Sequence, residues 1–70
     1  MTKNEAICAM RNGKRMTHKW FTEEEWATIE GDTIVFENGC QCSFDEFWRL
    51  RSDDSWLNDW SEYLKERNNG

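Results

Sequence analysis

The sequence contains no proline and few glycines, and this narrows the class of protein. Among its 70 residues are four glycines, and no linker or low-complexity stretch divides the chain. With regularly spaced apolar residues, this composition predicts one globular domain spanning residues 1–70. A core of this size is marginally stable. Ten aromatic residues, five of them Trp, supply buried surface, and assembly into a dimer or higher oligomer is the other expected supplement.

Features of secreted, membrane and zinc proteins are also missing. The chain shows no secretory signal and no apolar run long enough to cross a membrane, and its three cysteines are an odd number. We therefore expect a soluble, cytoplasmic protein. Cys40 and Cys42 with His18 suggest zinc, but a second ligand pair is missing. We expect no metal or cofactor, with Cys40 and Cys42 packed side by side as small apolar residues.

Catalytic signatures are scarce. The chain has one histidine, and it lacks a Gly-x-Ser-x-Gly motif and a phosphate-binding glycine loop. Adjacent acids occur at 23–25, 45–46 and 53–54, where solvated or helix-capping roles are typical. A pocket that raises the pKa of a carboxylate is hard to build from one chain of this length. We expect a protein that is not an enzyme.

The charges are unevenly distributed. Residues 1–20 carry five bases and one acid, a net +4, whereas residues 21–70 carry four bases and thirteen acids, a net −9. Phosphate neutralisation dominates nucleic-acid affinity, so the acidic chain argues against general nucleic-acid binding. The basic N-terminal part suits a small anion, or it is a solvated face that complements the acidic part.

The first half of the chain predicts a helix and then a strand. Thr2 and Glu5 have the spacing of a capping box, and Gly13 ends the apolar periodicity, which predicts a helix over about 3–12. Alternation over 14–21 predicts a strand. One face of that strand carries Met16, His18 and Trp20, and the other carries Arg15, Thr17, Lys19 and Phe21.

The middle of the chain predicts a hairpin. After a helical turn that begins at Thr22, we expect strands over 26–30 and 33–37. Asn38-Gly39 is the strongest short hairpin signal and predicts a type I′ turn, so 40–42 should run antiparallel to 33–37.

The last third predicts helical segments. Ser43 with Glu46 has capping spacing and predicts a helix over 44–51. Apolar residues at helical spacing predict a second helix over 54–66. The residues on the apolar face of that helix are Trp56, Leu57, Trp60, Tyr63 and Leu64. The predicted class is α+β, a small antiparallel sheet of three to five strands with an N-terminal helix and C-terminal helical segments.

A binding site is better supported than a catalytic one. Trp20 lies close in sequence to Arg15, Thr17, His18 and Lys19. An aromatic face can stack on a nucleobase while a guanidinium binds phosphate oxygens. The alternative is structural, with Met16, His18 and Trp20 in the core and the basic side chains solvated.

Both ends of the chain carry a family resemblance. The residues are Glu5-Ala6-Ile7, Met10, Gly13-Lys14-Arg15-Met16-Thr17-His18 and Trp20, and then Asp54-Ser55-Trp56-Leu57-Asn58-Asp59-Trp60. This frame resembles the small phage-type domain of the Thoeris anti-defence proteins that act as nucleotide sponges. The family's Arg and Gly before the first Trp are His18 and Lys19 here.

The resemblance implies a non-enzymatic oligomer that binds a cyclic or ADP-ribose-derived nucleotide between subunits and keeps it from a host immune effector. It implies that Arg15 and Thr17 belong to the site, with Arg15 on phosphate. Trp20 or Trp60 would stack, and Asp59 would accept from a base or ribose hydroxyl. It also implies a helical turn over 54–58 and a strand from Asp59, instead of the long helix.

A second hypothesis is an acidic protein-protein inhibitor or adaptor that covers a basic surface on a host enzyme. Trp48, Trp56 and Trp60 lie among the acids of the −9 segment. Tryptophan is enriched at interface hot spots, and acids steer basic partners.

Overall fold

The computed structural model describes residues 1–64, and these form two helices, one turn of 3₁₀ helix and five strands. In chain order the elements are α1 (Lys3–Arg11), β1 (Met16–His18), β2 (Ala27–Glu30), β3 (Thr33–Phe36), β4 (Gln41–Ser43), α2 (Phe44–Arg49), the 3₁₀ turn (Asp54–Trp56) and β5 (Trp60–Glu62). The predicted α+β class is confirmed.

The ends of α1 follow the sequence signals closely. The Glu5 backbone N–H donates to the Thr2 hydroxyl at 3.2 Å, and the Thr2 N–H donates to the Glu5 carboxylate at 2.9 Å, which completes the capping box. At the other end Gly13 has φ +88°, and the Lys14 N–H reaches back to the Ala9 carbonyl at 3.0 Å. This is the left-handed helix ending that glycine favours.

The five strands form one antiparallel sheet in the order β4-β3-β2-β1-β5. His18 lies opposite Trp60, and Ile29 lies opposite Ile34. Alternate side chains point to one face of a sheet. The buried side chains are Ala6, Met10, Met16, His18, Ala27, Ile29, Ile34, Phe47, Trp48 and Trp60.

Those buried strand residues define the covered face of the sheet, where α1 and α2 complete the core. The alternating residues point the other way and define the open face. They include Thr17 and Ser61, which pair directly, and Arg15 and Tyr63, joined by a 2.8 Å bond from the Tyr63 N–H to the Arg15 carbonyl. The buried residues of both helices, Ala6 and Met10 of α1 and Phe47 and Trp48 of α2, belong to the core on the covered face.

The predicted hairpin at Asn38-Gly39 is confirmed, but its turn type is wrong. Gly39 has φ +87°, whereas Asn38 does not have positive φ. The Gly39 N–H donates to the Phe36 carbonyl, and the Phe36 N–H donates to the Cys40 carbonyl, both at 2.9 Å. The loop therefore has three residues, a type I turn followed by a left-handed glycine, instead of the two-residue type I′ loop.

The loop also explains the cysteines. Because β4 begins at Gln41, Cys40 lies outside the strand and is exposed, and Cys42 is half-buried against the core. The prediction that both pack side by side is therefore wrong for Cys40.

The first strand is shorter than the alternation predicts. It ends at His18, where the Phe21 N–H donates to the His18 carbonyl at 2.8 Å and turns the chain. Trp20 is consequently 59% exposed and does not share the buried face with Met16 and His18, so the structural alternative is wrong for this residue. Phe21 turns inward and packs near His18, with ring centroids 6.4 Å apart.

The prediction of a helix over 54–66 is wrong for the part that the structure describes. Helical geometry stops after the 3₁₀ turn at Trp56, Asp59 has φ +72°, and β5 pairs with β1. Leu57, predicted to be buried, is 45% exposed. The turn and final strand that the resemblance implies are the arrangement found. Residues 65 and 66 of the predicted helix lie outside the described residues.

The other predicted elements are close to those found. Thr22 begins a single turn, in which the Glu25 N–H donates to the Thr22 carbonyl at 3.1 Å. Ser43 caps α2 by accepting from the Glu46 N–H at 3.1 Å, but the helix ends at Arg49 and not at residue 51.

Candidate functional site

The six residues predicted for a ligand site lie in three different places. His18 and Trp60 are buried in a group of packed rings, called the aromatic cluster, whose members are His18, Phe21, Trp48, Trp56 and Trp60. Trp20 and Asp59 lie beyond the end of β1. Arg15 and Thr17 lie on the open face. One contiguous site of all six is not formed within this chain.

His18 is held in one tautomer by two hydrogen bonds. The Trp20 backbone N–H donates to Nδ1 at 3.1 Å, so the ring hydrogen lies on Nε2. Nε2 then donates to the Asn58 carbonyl oxygen at 2.8 Å. With the side chain 3% exposed, both ring nitrogens are occupied and neither is available to a ligand.

Trp60 lies at the centre of the aromatic cluster and is 2% exposed. Its ring centroid lies 4.8 Å from that of His18, 5.5 Å from that of Trp48 and 5.8 Å from that of Phe21. The indole N–H donates to the Trp56 carbonyl at 2.8 Å. Stacking a nucleobase on Trp60 requires its ring to leave the core, so this ring is a structural element of the single chain.

Trp20 and Asp59 meet through Lys19. The Lys19 Nζ lies 5.3 Å from the Trp20 ring centroid and 3.7 Å from a carboxylate oxygen of Asp59. Both groups of this ion pair are more than half exposed, so its contribution to stability is small. Its effect is to place an ammonium over one face of an exposed ring.

Arg15 lies on the open face beside two aromatic residues that the sequence reasoning did not select. The guanidinium carbon is 4.9 Å from the Trp26 ring centroid, and the Trp26 and Tyr63 centroids are 6.4 Å apart. Thr17 adds a hydroxyl on the same face. Strand alternation predicts Trp26 on the open face, because the next residue, Ala27, is on the covered face. Tyr63 could not be placed there from the sequence, because the spacing predicted a helix for it.

Within residues 1–64, the half-buried Arg51 and Cys42 are the titratable groups whose pKa is clearly shifted. Burial lowers the pKa of the Arg51 guanidinium, whose carbon lies 4.1 Å from the Phe47 ring centroid. Its Nε is buried without a hydrogen-bond partner within residues 1–64. Burial and then the Glu46 carboxylate raise the pKa of the Cys42 thiol. Cys42 is therefore a poor candidate for a thiolate ligand or nucleophile.

A shallow cavity of about 280 Å³ lies apart from all six predicted residues. It is lined by Arg11, Asp32, Ser43, Phe44 and Asp45. The Arg11 guanidinium carbon already lies 5.1 Å from the Phe44 ring centroid. The cavity is slightly smaller than the roughly 300–1,000 Å³ of typical small-molecule sites.

Residues 1–64 lack two kinds of feature. No three His, Cys, Asp or Glu side chains there are grouped to hold a metal ion. None of the helices in this part of the chain has the length and apolar character needed to cross a membrane.

Comparison with protein-family models, curated proteins and solved structures finds no match.

Proposed function

We propose that this protein is a non-enzymatic binding protein that sequesters a phosphate-bearing nucleotide on the open face of its sheet. The cyclic or ADP-ribose-derived class comes from the resemblance in the sequence. A sponge of this kind acts in the cytoplasm, where the signal would otherwise reach an immune effector. The observation that carries the proposal is the exposed Arg15 guanidinium over the Trp26 ring.

Each part of a nucleotide has a suitable group on this face. The Arg15 guanidinium forms no ion pair with a residue of 1–64, so its N–H groups can bind phosphate oxygens in the forked geometry that arginine favours. Thr17 and Ser61 are direct cross-strand partners, and their hydroxyl-bearing side chains can contact the ribose. The rings of Trp26 and Tyr63 offer stacking worth roughly 1–3 kcal/mol per base.

The open face is one wall of a site and not an enclosed pocket. A flat sheet buries one side of a nucleotide, whereas small-molecule sites bury most of the ligand surface. The proposal therefore includes a second copy of the chain, whose surface closes the site. This agrees with the expectation that a small aromatic-rich domain self-associates.

The test is a titration of the purified protein with cyclic dinucleotides and ADP-ribose derivatives, followed by melting temperature and Trp fluorescence. A ligand at a hundred times its Kd stabilises the folded state by about 2.7 kcal/mol. We expect at least one nucleotide to raise the melting temperature and quench emission. If no member of the panel does either, the nucleotide proposal is wrong.

Matched variants locate the site. Arg15→Ala should abolish the shift, and Arg15→Lys should weaken binding because the fork is lost. Lys14→Ala is the control, since it removes the same charge from the neighbouring residue, which pairs with Glu62 at 3.8 Å. Trp26→Ala should lose binding and Trp20→Ala should retain it. Unchanged binding in Arg15→Ala would exclude the open face as the phosphate site.

We propose as the second candidate an adaptor or inhibitor that covers a basic surface on another protein. Its support is the charge of the second part of the chain. Residues 21–64 carry two bases against twelve acids, and ten of those acids are exposed. This surface is strongly acidic, which favours association with basic partners at low salt.

The burial of the aromatic cluster excludes the three tryptophans that this hypothesis named as interface residues. Trp48 is 6% and Trp60 2% exposed, and Trp56 is half-buried, so these rings are not free to anchor a partner. Partner binding of this kind should weaken steeply as ionic strength rises, whereas nucleotide stacking should depend less on salt. Affinity measured across a salt series separates the two functions.

A further inference from the structure

Two surface segments, 19–25 and 53–59, meet where β1 ends and β5 begins, and together they are called the tip surface. The Phe21 and Trp56 ring centroids are 6.1 Å apart, which joins the segments through their apolar side chains. Lys19 and Asp59 join them again as an ion pair at 3.7 Å. The two segments therefore form one continuous surface although they are distant in sequence.

The tip surface is strongly acidic. Its two segments contain six acids and one base, a net −5, which is the net charge of the whole chain. The acids are Glu23, Glu24, Glu25, Asp53, Asp54 and Asp59. The base, Lys19, is already paired with Asp59 and lies over the Trp20 ring. Such a surface repels phosphate-bearing ligands and anionic lipids and attracts a basic protein.

An exposed, preorganised tryptophan lies within this acidic surface. Trp20 is 59% exposed, yet its backbone N–H is held by the buried His18 ring at 3.1 Å. The next N–H, that of Phe21, is bound to the His18 carbonyl at 2.8 Å. Leu57, 45% exposed, adds apolar surface on the facing segment. Fixing the backbone before binding lowers the entropic cost of association, and Trp is the side chain most enriched at hot spots.

We propose that the tip surface docks onto a basic protein surface and inserts Trp20 into an apolar slot there. The inference rests on the second candidate function and assigns it a location. The acids steer the approach and pair with Lys or Arg at the rim, while the Trp20 ring supplies most of the affinity. The site is separate from the open face proposed for nucleotide.

The test uses a displayed library of short peptides in which Lys and Arg alternate with randomised positions. Binders to the full-length protein are selected and then titrated against ¹⁵N-labelled protein. We expect selected peptides to contain an apolar cluster between basic residues. Their amide shifts should concentrate in residues 19–25 and 53–59 and include the Trp20 indole.

Matched variants give the affinity readout. Trp20→Ala should weaken the selected peptides by about tenfold or more, and Trp26→Ala, on the open face, should leave them unchanged. Asp53→Asn with Asp54→Asn should weaken them severalfold, and Asn at position 53 keeps the helix cap. Asp32→Asn with Asp45→Asn removes two charges outside the tip surface and should have less effect.

Two different failures are distinguishable. The control library carries Asp and Glu at the positions of Lys and Arg. If the basic library yields no more binders than this acidic control, the second candidate function itself is wrong. If binders are selected but their shifts spread over acids outside the tip surface, or Trp20→Ala binds them equally well, the assigned location is wrong. The ¹H–¹⁵N spectrum of Trp20→Ala, recorded in parallel, should match that of the wild-type protein outside the tip surface and shows that the variant is folded.

Discussion

The two faces of β1 and β5 differ in what their aromatic residues do. On the covered face His18 and Trp60 lie opposite each other and are almost completely buried. On the open face, only one residue away along the same strands, Thr17 pairs with Ser61, and Tyr63 lies close to Trp26. Strand alternation thus divides neighbouring residues between holding the fold and remaining available to a ligand.

The rings of the two faces should also differ in how much they contribute to the free energy of unfolding. A chain of 70 residues has a free energy of unfolding of about 4–10 kcal/mol, at roughly 0.05–0.15 kcal/mol per residue. Losing one central ring of the covered face can remove a large share of that total. Losing a ring of the open face should change stability little, so any large effect there must appear in binding.

The largest effect is expected for Trp60→Ala. Truncating a fully buried Trp costs about 3–5 kcal/mol, because the neighbouring rings lose their contacts and a cavity remains. The Trp56 carbonyl also loses its 2.8 Å indole donor. Urea unfolding followed by circular dichroism should show a protein near or below its folding threshold. Trp60→Phe, which refills part of the space, should recover part of the loss.

Trp60→Ala also tests whether the two faces have different roles. If it unfolds at nearly the same urea concentration as the wild type, the ring is not part of the core. The conclusion that the two faces have different roles would then be wrong.

The next largest effect is expected for His18→Leu. The substitution keeps an apolar side chain in the cluster but removes both hydrogen bonds, those to the Trp20 N–H and the Asn58 carbonyl. Leaving two backbone groups without these partners should cost about 2–3 kcal/mol. Thr17→Val, at the adjacent residue on the open face, should change the free energy of unfolding by less than about 1 kcal/mol.

Chemical denaturation of both variants gives the measurement. Equal losses for His18→Leu and Thr17→Val would mean that strand alternation does not separate structural from available positions. If His18→Leu loses clearly less than about 2 kcal/mol while Thr17→Val behaves as expected, water replaces the two hydrogen bonds of the imidazole.

Local signals in the sequence predicted the parts of the fold that local chemistry determines. The Thr2 and Glu5 capping box, the Gly13 helix end and the hairpin at Gly39 are each specified by a few neighbouring residues. The core-facing positions of β1 were also predictable, since alternation places Met16 and His18 on one face and both are buried. The predicted class followed from these elements.

The errors occur where contacts distant in sequence override a local pattern. Residues Trp56 and Trp60 have helical spacing, and both do reach one cluster, but from a 3₁₀ turn and a strand. Pairing of β5 with β1 decides this, and periodicity contains no information about it. Likewise, alternation could not show that the chain turns at His18 and leaves Trp20 exposed.

The candidate site was predictable only in part. Arg15 and Thr17 were selected for their chemical type and do lie on the open face. Their neighbours Trp26 and Tyr63 come from other strands, so their proximity depends on the sheet order. Proximity in sequence grouped Arg15 with His18, and the family resemblance added Trp60, but both of these side chains are buried on the covered face.

A smaller effect is expected for the Trp26→Ala and Arg15→Ala pair. Each substitution should lower stability by about 1 kcal/mol or less, because both side chains keep contact with water. The double-mutant cycle should give a coupling of about 0.5–1 kcal/mol for a cation lying over an exposed ring. Coupling near zero would indicate that Arg15 is not held over Trp26 in solution, and the phosphate-binding geometry would lose its support.

The smallest effect is expected in the alkylation rates of the Cys40 and Cys42 thiols, which depend on whether α2 stays packed over β4. Burial, and then the Glu46 carboxylate, raise the pKa of Cys42, while Arg51 acts in the opposite direction. Since the thiolate is the reactive form, Cys42 has less of it at neutral pH and should react with iodoacetamide severalfold more slowly than exposed Cys40. Peptide mapping by mass spectrometry at several times of labelling measures both rates in one sample.

The sign of the Glu46 effect gives the control for this comparison. Removing the negative charge in Glu46→Gln should lower the pKa of Cys42 and speed its alkylation modestly, and Cys40 should not change. In denaturant the covering layer is lost, so the two rates should converge. If Cys42 instead reacts as fast as Cys40 in the native protein, α2 does not stay packed over β4, and the covered face is open at that edge.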